Sequence, residues 1–255
     1  MNRKIQKFGW VPDLPDHRDH LYAAPQPVLA VLPAKVDLRK KCPPVLNQGQ
    51  LGSCTANAIA NAHLFGQMKQ KAKNTFHPSR LFIYYNERAM EGTINSDAGA
   101  MIRDGIKSVA NLGVCSETEW PYSVGKFAAK PDKTSYKDAL QHQALSYQRL
   151  TQTLNQFKGC LASGFPFVFG FTVYESFESA AVAKTGNAPM PTPKEKCIGG
   201  HAVLTVGYDD AKQRFIVMNS WGTDWGQKGY FTLPYSYVTE SNLAADFWTL
   251  RIVEV

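Results

Sequence analysis

The chain has 255 residues, 44% of them hydrophobic and 19% charged, which is the balance of a folded chain with a large core and excludes intrinsic disorder. Its formal net charge of +7 is dispersed over short clusters such as Arg39-Lys40-Lys41. A solvated basic surface is therefore expected rather than a nucleic-acid-binding face. No apolar run reaches the roughly 20 residues of a spanning helix, so no membrane segment is expected. Met1 to Phe8 does not lead into the apolar core of a signal peptide.

Residues 1–31 read as an N-terminal extension. Prolines 12, 15, 25 and 27 exclude a long helix, so this stretch should be extended or turn-rich. Trp10, Val11 and Leu14 are its apolar anchors, and it is either a structural strap or a short regulatory segment across a cleft. His17 and His20 lie beside Asp16 and Asp19 with no further ligand in view, which suits a solvated turn better than a metal; no metal or other cofactor is expected.

The next stretch is Asn47-Gln48-Gly49-Gln50-Leu51-Gly52-Ser53-Cys54-Thr55-Ala56. From Cys54 onward, Ala56, Ile59, Ala60, Leu64 and Met68 recur at helical spacing, with Ser53 as a plausible N-cap. Cys54 would then sit in the first turn, where the helix dipole and unpaired amides favour a thiolate and lower the thiol pKa. Gln48, in a glycine-flanked loop that includes Gly52, offers a side-chain N–H₂ to an approaching substrate.

Two further helices are predicted, one over Pro78 to Arg88 and one from about Ala100 to a stop at Gly113. The lysine-rich stretch Lys126 to Lys137 reads as a loop between lobes. Beyond about residue 142 the pattern changes to strands: Val168 to Tyr174, His201 to Tyr208, Arg214 to Met218, Gly229 to Leu233 and Phe247 to Val253. One helix, Leu154 to Ala162, interrupts them, and Ala180 to Lys196 reads as a mobile loop. His63 reads as a packed helix residue, and His77 and His142 as surface residues. The five cysteines fit one free nucleophile with four others in any of three pairings, or five free thiols. No C-x-x-C pair supports zinc.

Cys54 needs a base and an orienting group. His201, in Gly199-Gly200-His201-Ala202, can serve as base and then acid, and Asn219, in Asn219-Ser220-Trp221-Gly222, can hold its tautomer. Gln48 and the Cys54 amide can form an oxyanion hole. These three motifs, in this order, resemble the papain-like (cathepsin-type) cysteine peptidases, in a bacterial-looking variant, from about Leu32 to the C-terminus. The resemblance implies an α+β, two-lobed fold with a cleft between the lobes. A helical lobe (about 32–141) would carry the nucleophile helix, and an antiparallel β-barrel or sheet lobe (about 142–255) the base. It implies a cysteine-type endopeptidase working through a thioester acyl-enzyme, with peptides, proteins and protein inhibitors of such peptidases as partners, and a monomer.

By the same resemblance Gly52, Gly99, Met101, Gly170, Gly200 and Trp221 would line the substrate cleft. Gly170 and Gly200 suggest a roomy pocket for large apolar side chains, and Trp221 with Trp225 would roof the Asn–His hydrogen bond. Three departures stand out. Leu51 replaces a disulfide cysteine, Thr55 an aromatic residue, and Ala98 one glycine of a substrate-pairing strand. An acyl transferase or ligase using the same acyl-enzyme, and a silent papain-like binding protein, are the alternatives. The resemblance suggests a secreted or extracytoplasmic protein whose signal peptide lies outside this sequence, with a cytoplasmic one as the alternative.

Overall fold

A computed structural model describes residues 8–255; the reading of Met1 to Lys7 lies outside the described residues. The N-terminal stretch is extended over β1 (Trp10–Val11) and β2 (Leu21–Tyr22), and then makes one turn of helix, α1 (Gln26–Ala30), with a proline at its start. Strand β3 (Lys35–Asp37) follows. The helical lobe is built from α2 (Cys54–Lys69), α3 (Arg80–Met90), a two-residue strand β4 (Ala100–Met101), α4 (Ile102–Leu112) and α5 (Lys133–Ala139).

The sheet lobe comprises β5 (Ala144–Leu150), α6 (Leu154–Ala162), β6 (Phe167–Tyr174), α7 (Ala180–Thr185), β7 (Cys197–Asp209), β8 (Arg214–Met218), β9 (Tyr230–Pro234), α8 (Tyr235–Thr239) and β10 (Ala244–Val253). Its strand order is β2-β5-β10-β6-β7-β8-β9, with β3 added against β7. All pairings are antiparallel except that of β2 with β5. The fold is the α+β, two-lobed papain-like architecture.

Local chemistry explains most boundaries. Ser79, Asp132, Thr153 and Ser179 each accept a backbone N–H with their side chains and so start α3, α5, α6 and α7. Gly113 at φ 71° closes α4, the left-handed conformation that glycine adopts without strain. Helix α2 differs from the expected one-sided stripe. Every residue from Cys54 to Gln67 is buried, while Met68 is exposed, because α2 runs between α3 and α4 on one side and β7 and β10 on the other. Small side chains make that possible: a methyl on Gly66 would lie 3.1 Å from Val253 Cγ2.

Four other expectations are corrected. The lysine-rich stretch ends inside a helix, α5, capped by Asp132. Part of the expected loop 180–196 is helix α7. Leu14 does not anchor the N-terminal segment, being 67% exposed; Trp10, Tyr22 and Ala24 pack instead. His142, expected at the surface, is half-buried with its ring 4.5 Å from that of Phe76. All five cysteines are free thiols. No helix among the described residues is long and apolar enough to cross a membrane.

Beneath α2 lies a buried carboxyl group. Glu87 Oε1 accepts the Thr55 hydroxyl at 2.6 Å, while Oε2 has no hydrogen-bond partner among the described residues. Burial pushes the Glu87 pKa well above the usual range, ahead of the Thr55 bond, which opposes it. A carboxyl raised on folding contributes stability at acid pH, and loses it as pH rises through its folded value. Glu87→Gln keeps the acceptor and cannot ionise. The variant is expected to flatten the decline of unfolding midpoint between pH 5 and pH 9, measured by thermal melts; an unchanged slope would show that Glu87 does not drive it.

Candidate active site

The loop 47–53 is fixed before α2 begins. Gln48 is fully buried: its N–H bonds to Ser220 O, its Oε1 accepts the Ser220 hydroxyl at 2.7 Å, and its Nε2 donates to Leu51 O at 2.9 Å. The Tyr122 hydroxyl lies 2.9 Å from Gln48 O and 2.6 Å from Ser53 Oγ. Ser53 therefore precedes α2 as expected, but its hydroxyl does not cap the helix. Gly52 N–H donates to Asp97 Oδ1 at 2.9 Å, and Asp97 also accepts the Tyr84 hydroxyl.

At the first residue of α2, Cys54 Sγ accepts the Ala202 N–H at 3.4 Å. That bond joins the helical lobe to β7 one residue past His201. The His201 Nε2 and Asn219 Oδ1 atoms are 2.8 Å apart, and Oδ1 also takes the Ser220 N–H. His201 Nδ1 is buried without a hydrogen-bond partner among the described residues. The Trp221 ring lies over the imidazole, centroids 4.9 Å apart at 31°, and Trp225 meets Trp221 edge-on. Excluding water there strengthens the Asn–His bond.

The electrostatics differ from the thiolate expected at a helix start. Burial pushes the Cys54 thiol up to about 12, and the Ala202, Gly9 and Thr55 amides only partly oppose it. Burial likewise lowers His201 to about 4, with the Asn219 bond opposing. Burial thus pushes both groups toward their neutral forms, and at Cys54 it outweighs the amides of the helix start.

The cover is the chain's own N-terminal segment. Gly9 lies on the loop before Cys54: a methyl on Gly9 would fall 1.7 Å from Gly52 O, and one on Gly99 2.2 Å from Gly9 O. Gly9 O accepts the Ala100 N–H at 2.8 Å, and β1 runs parallel to β4 with Trp10 opposite Ala100. The Phe8 ring meets His201 and Trp221 with centroids 6.1 and 6.2 Å away, and the Trp10 indole lies on Gly170 and Gly200. Asp13 and Asp19 then tie the segment to Arg103, Arg149 and Trp248.

Thus Gly52, Gly99, Gly170, Gly200 and Trp221 all lie against the segment or beside the thiol. Met101 is half-buried, pairs with Val11 and faces a surface groove of about 520 Å³ shared with Leu14, His17 and Arg103. Ala98 is exposed, and the chain pairs two residues later, at Ala100. Sequence reasoning missed Ser220 and Asp97; only adjacency to Asn219 marked the first, and no local pattern marked the second. No cluster of three or more metal-ligating side chains exists among the described residues.

The site brings a buried thiol at a helix start onto the strand that carries, one residue away, the imidazole of an imidazole–amide pair. The comparisons carry this further: residues 32–248 match the papain family cysteine protease model, and the chain belongs to that family. It is similar to xylellain, a cysteine protease from Xylella fastidiosa, with a TM-score of 0.92 and 45% identity over 99% of this chain and 98% of that one. A peptidase C1-like protein of Acanthamoeba polyphaga mimivirus is 44% identical over 97% of this chain and 88% of its own length. Cathepsin K of Gallus gallus is 30% identical over 79% of this chain and 58% of its own length. The protein is a papain-like cysteine peptidase.

With the cover seated, reagent order should invert relative to an open site. Iodoacetamide on the intact chain is expected to label exposed Cys197 well before Cys54, read by peptide mass mapping at pH 7.5. Cys54 labelling first would mean that the segment leaves the cleft readily.

Proposed function

We propose that this peptidase is an endopeptidase held latent by its own residues 8–19. The observation that carries the reading is the passage of the segment across the thiol, with Phe8 on the His201 side and Trp10 on the other. A cleft that admits continuous chain on both sides suits cleavage within a polypeptide. In the open enzyme, the Cys54 thiolate attacks the carbonyl carbon and His201, as imidazolium, protonates the leaving amine. Neutral His201 then takes a proton from water, which hydrolyses the thioester and returns the thiol. Asn219 orients the imidazole; the Cys54 N–H and the Gln48 amide, steadied by Ser220, meet the oxyanion.

Direction explains why the segment survives. The amine must leave beside His201, so a substrate runs N to C from the Trp10 pocket toward the Phe8 position. The segment runs the opposite way and presents its amide reversed to the thiol and its proton donor. Its two halves also differ. Residues 20–31 belong to the scaffold: β2 pairs with β5, Tyr22 is buried, and the Ala24 N–H bonds to Gln156. Opening therefore needs release of residues 8–19 and not loss of everything before Leu32.

Cys54→Ala is expected to abolish peptide hydrolysis while keeping the melting temperature. Gln48→Ala should lower kcat by roughly ten- to a thousand-fold, as for a lost oxyanion donor, with KM little changed. Gly9→Ala tests latency without touching the body. Overpacking of about 1–3 kcal/mol against Gly52 should raise kcat/KM on a small fluorogenic peptide by about five- to a hundred-fold. A chain beginning near Leu32 should be less stable, having lost β2. Equal activity of Gly9→Ala and the parent would remove the latency reading.

A further inference from the structure

The pocket beside the thiol is not simply roomy and apolar; a carboxylate reaches into it. The Trp10 indole lies flat on two glycines, where a methyl at Gly170 would come within 2.0 Å of Cε2 and one at Gly200 within 2.7 Å of Cε3. Its Nε1 donates to Asp246 Oδ2 at 3.1 Å. Asp246 is 3% exposed and adopts φ 59°, at the break in the β10–β6 ladder between Ala245 and Trp248. A left-handed residue there interrupts the strand, and aspartate tolerates that conformation better than most side chains.

The bonding of the two carboxylate oxygens is divided. Oδ1 is held by Arg149 of the body at 3.0 Å. Both donors to Oδ2, the Trp10 indole and the Asp13 N–H at 2.8 Å, come from the covering segment. When that segment leaves, Oδ2 faces the vacated pocket without either donor. A buried charged acceptor left unpaired is costly, so whichever side chain enters next is selected for its ability to donate.

We propose that Asp246 makes this pocket select a large ring carrying an N–H or O–H donor, tryptophan first, at the substrate residue preceding the one whose carbonyl is attacked. This deepens the endopeptidase reading above and rests on it: Gly9 overlies the thiol, and Trp10 is the next residue on the acyl side. The charges around the carboxylate disfavour a cation. Arg149 already pairs with Asp246, and departure of Asp13 and Asp19 leaves Arg149 and Arg103 near it without their segment partners. A lysine or arginine side chain would enter beside two guanidinium groups. An uncharged donor meets no such repulsion.

The experiment uses the full chain carrying Gly9→Ala and fluorogenic dipeptides that differ only in this residue. Tryptophan is compared with benzothienylalanine, which replaces the indole N–H by sulfur in the same shape, and with phenylalanine and arginine. Tryptophan is expected to exceed benzothienylalanine in kcat/KM by about tenfold or more, with arginine below both. In Asp246→Asn the Arg149 bond keeps the amide oxygen and turns the NH₂ toward the ring, so the ratio should fall to about one or below. The isostere comparison needs no variant at Asp246 and so survives a folding defect there. A ratio near one in the Gly9→Ala chain, an unchanged ratio in Asp246→Asn, or arginine as the best residue overturns the proposal while leaving the peptidase intact. Failure to cleave any of the four, or casein, would overturn both.

Discussion

The contact on which the molecule turns is the bond from the Ala202 N–H to the Cys54 sulfur. One partner begins a helix buried on every side and the other lies mid-strand in the sheet lobe, so neither lobe alone fixes the distance between thiol and imidazole. Helix α2 can approach β7 and β10 this closely because it carries Ala56, Ala58, Ala60, Ala62 and Gly66. Close packing of that kind resists displacement, since a shift of either lobe opens voids along the helix. Positioning the thiol against the sheet and holding the lobes together are thus one packing problem.

The covering segment exploits the same junction. It makes backbone contact with the helical lobe at Ala100, ring contact with the sheet lobe at His201 and Trp221, and ionic contact with both through Arg103 and Arg149. The Arg103–Asp19 pair is nearly inaccessible on both sides, so losing one partner strands a buried charge, costing about 3–5 kcal/mol. Burial also raises Asp13 to about 6, with Asp246 beside it as the next cause. Seating is helped by some of these charges and opposed by others.

Much of the framework was legible in the sequence because it rests on local rules. Helix Leu154–Ala162 and strand Arg214–Met218 were readable from the chain, the first ahead of Gly164, the second from its β-branched and aromatic residues and its flanking turns. The candidate residues were legible as types and spacings. Other features arise only in three dimensions. The upward push on Cys54 comes from complete burial in the folded chain, which outweighs the helix-start amides that local reasoning weighed alone. The Asp246 carboxylate reaches the pocket through a break in strand pairing that no periodicity encodes. Tyr22 outranks Leu14 as an anchor because β2 finds an edge on β5.

The departures from the family pattern around the thiol can be understood together. Leu51 stands where a disulfide cysteine was expected, yet the loop before α2 is not loose. Arg80 joins Asn47 O, Asn57 Oδ1 and Glu117 and stacks on Tyr122; Tyr122 meets Gln48 O and Ser53; Asp97 takes Gly52 N–H. Leu51 itself is buried. Apart from Asn47, each member of this network is buried or partly buried, so removing one leaves a partner unsatisfied. Thr55 follows the same logic, its hydroxyl spanning to Glu87 where an aromatic ring would have filled space. A polar network therefore holds the loop before α2 in place of a covalent link. Its integrity does not depend on the redox state of any cysteine.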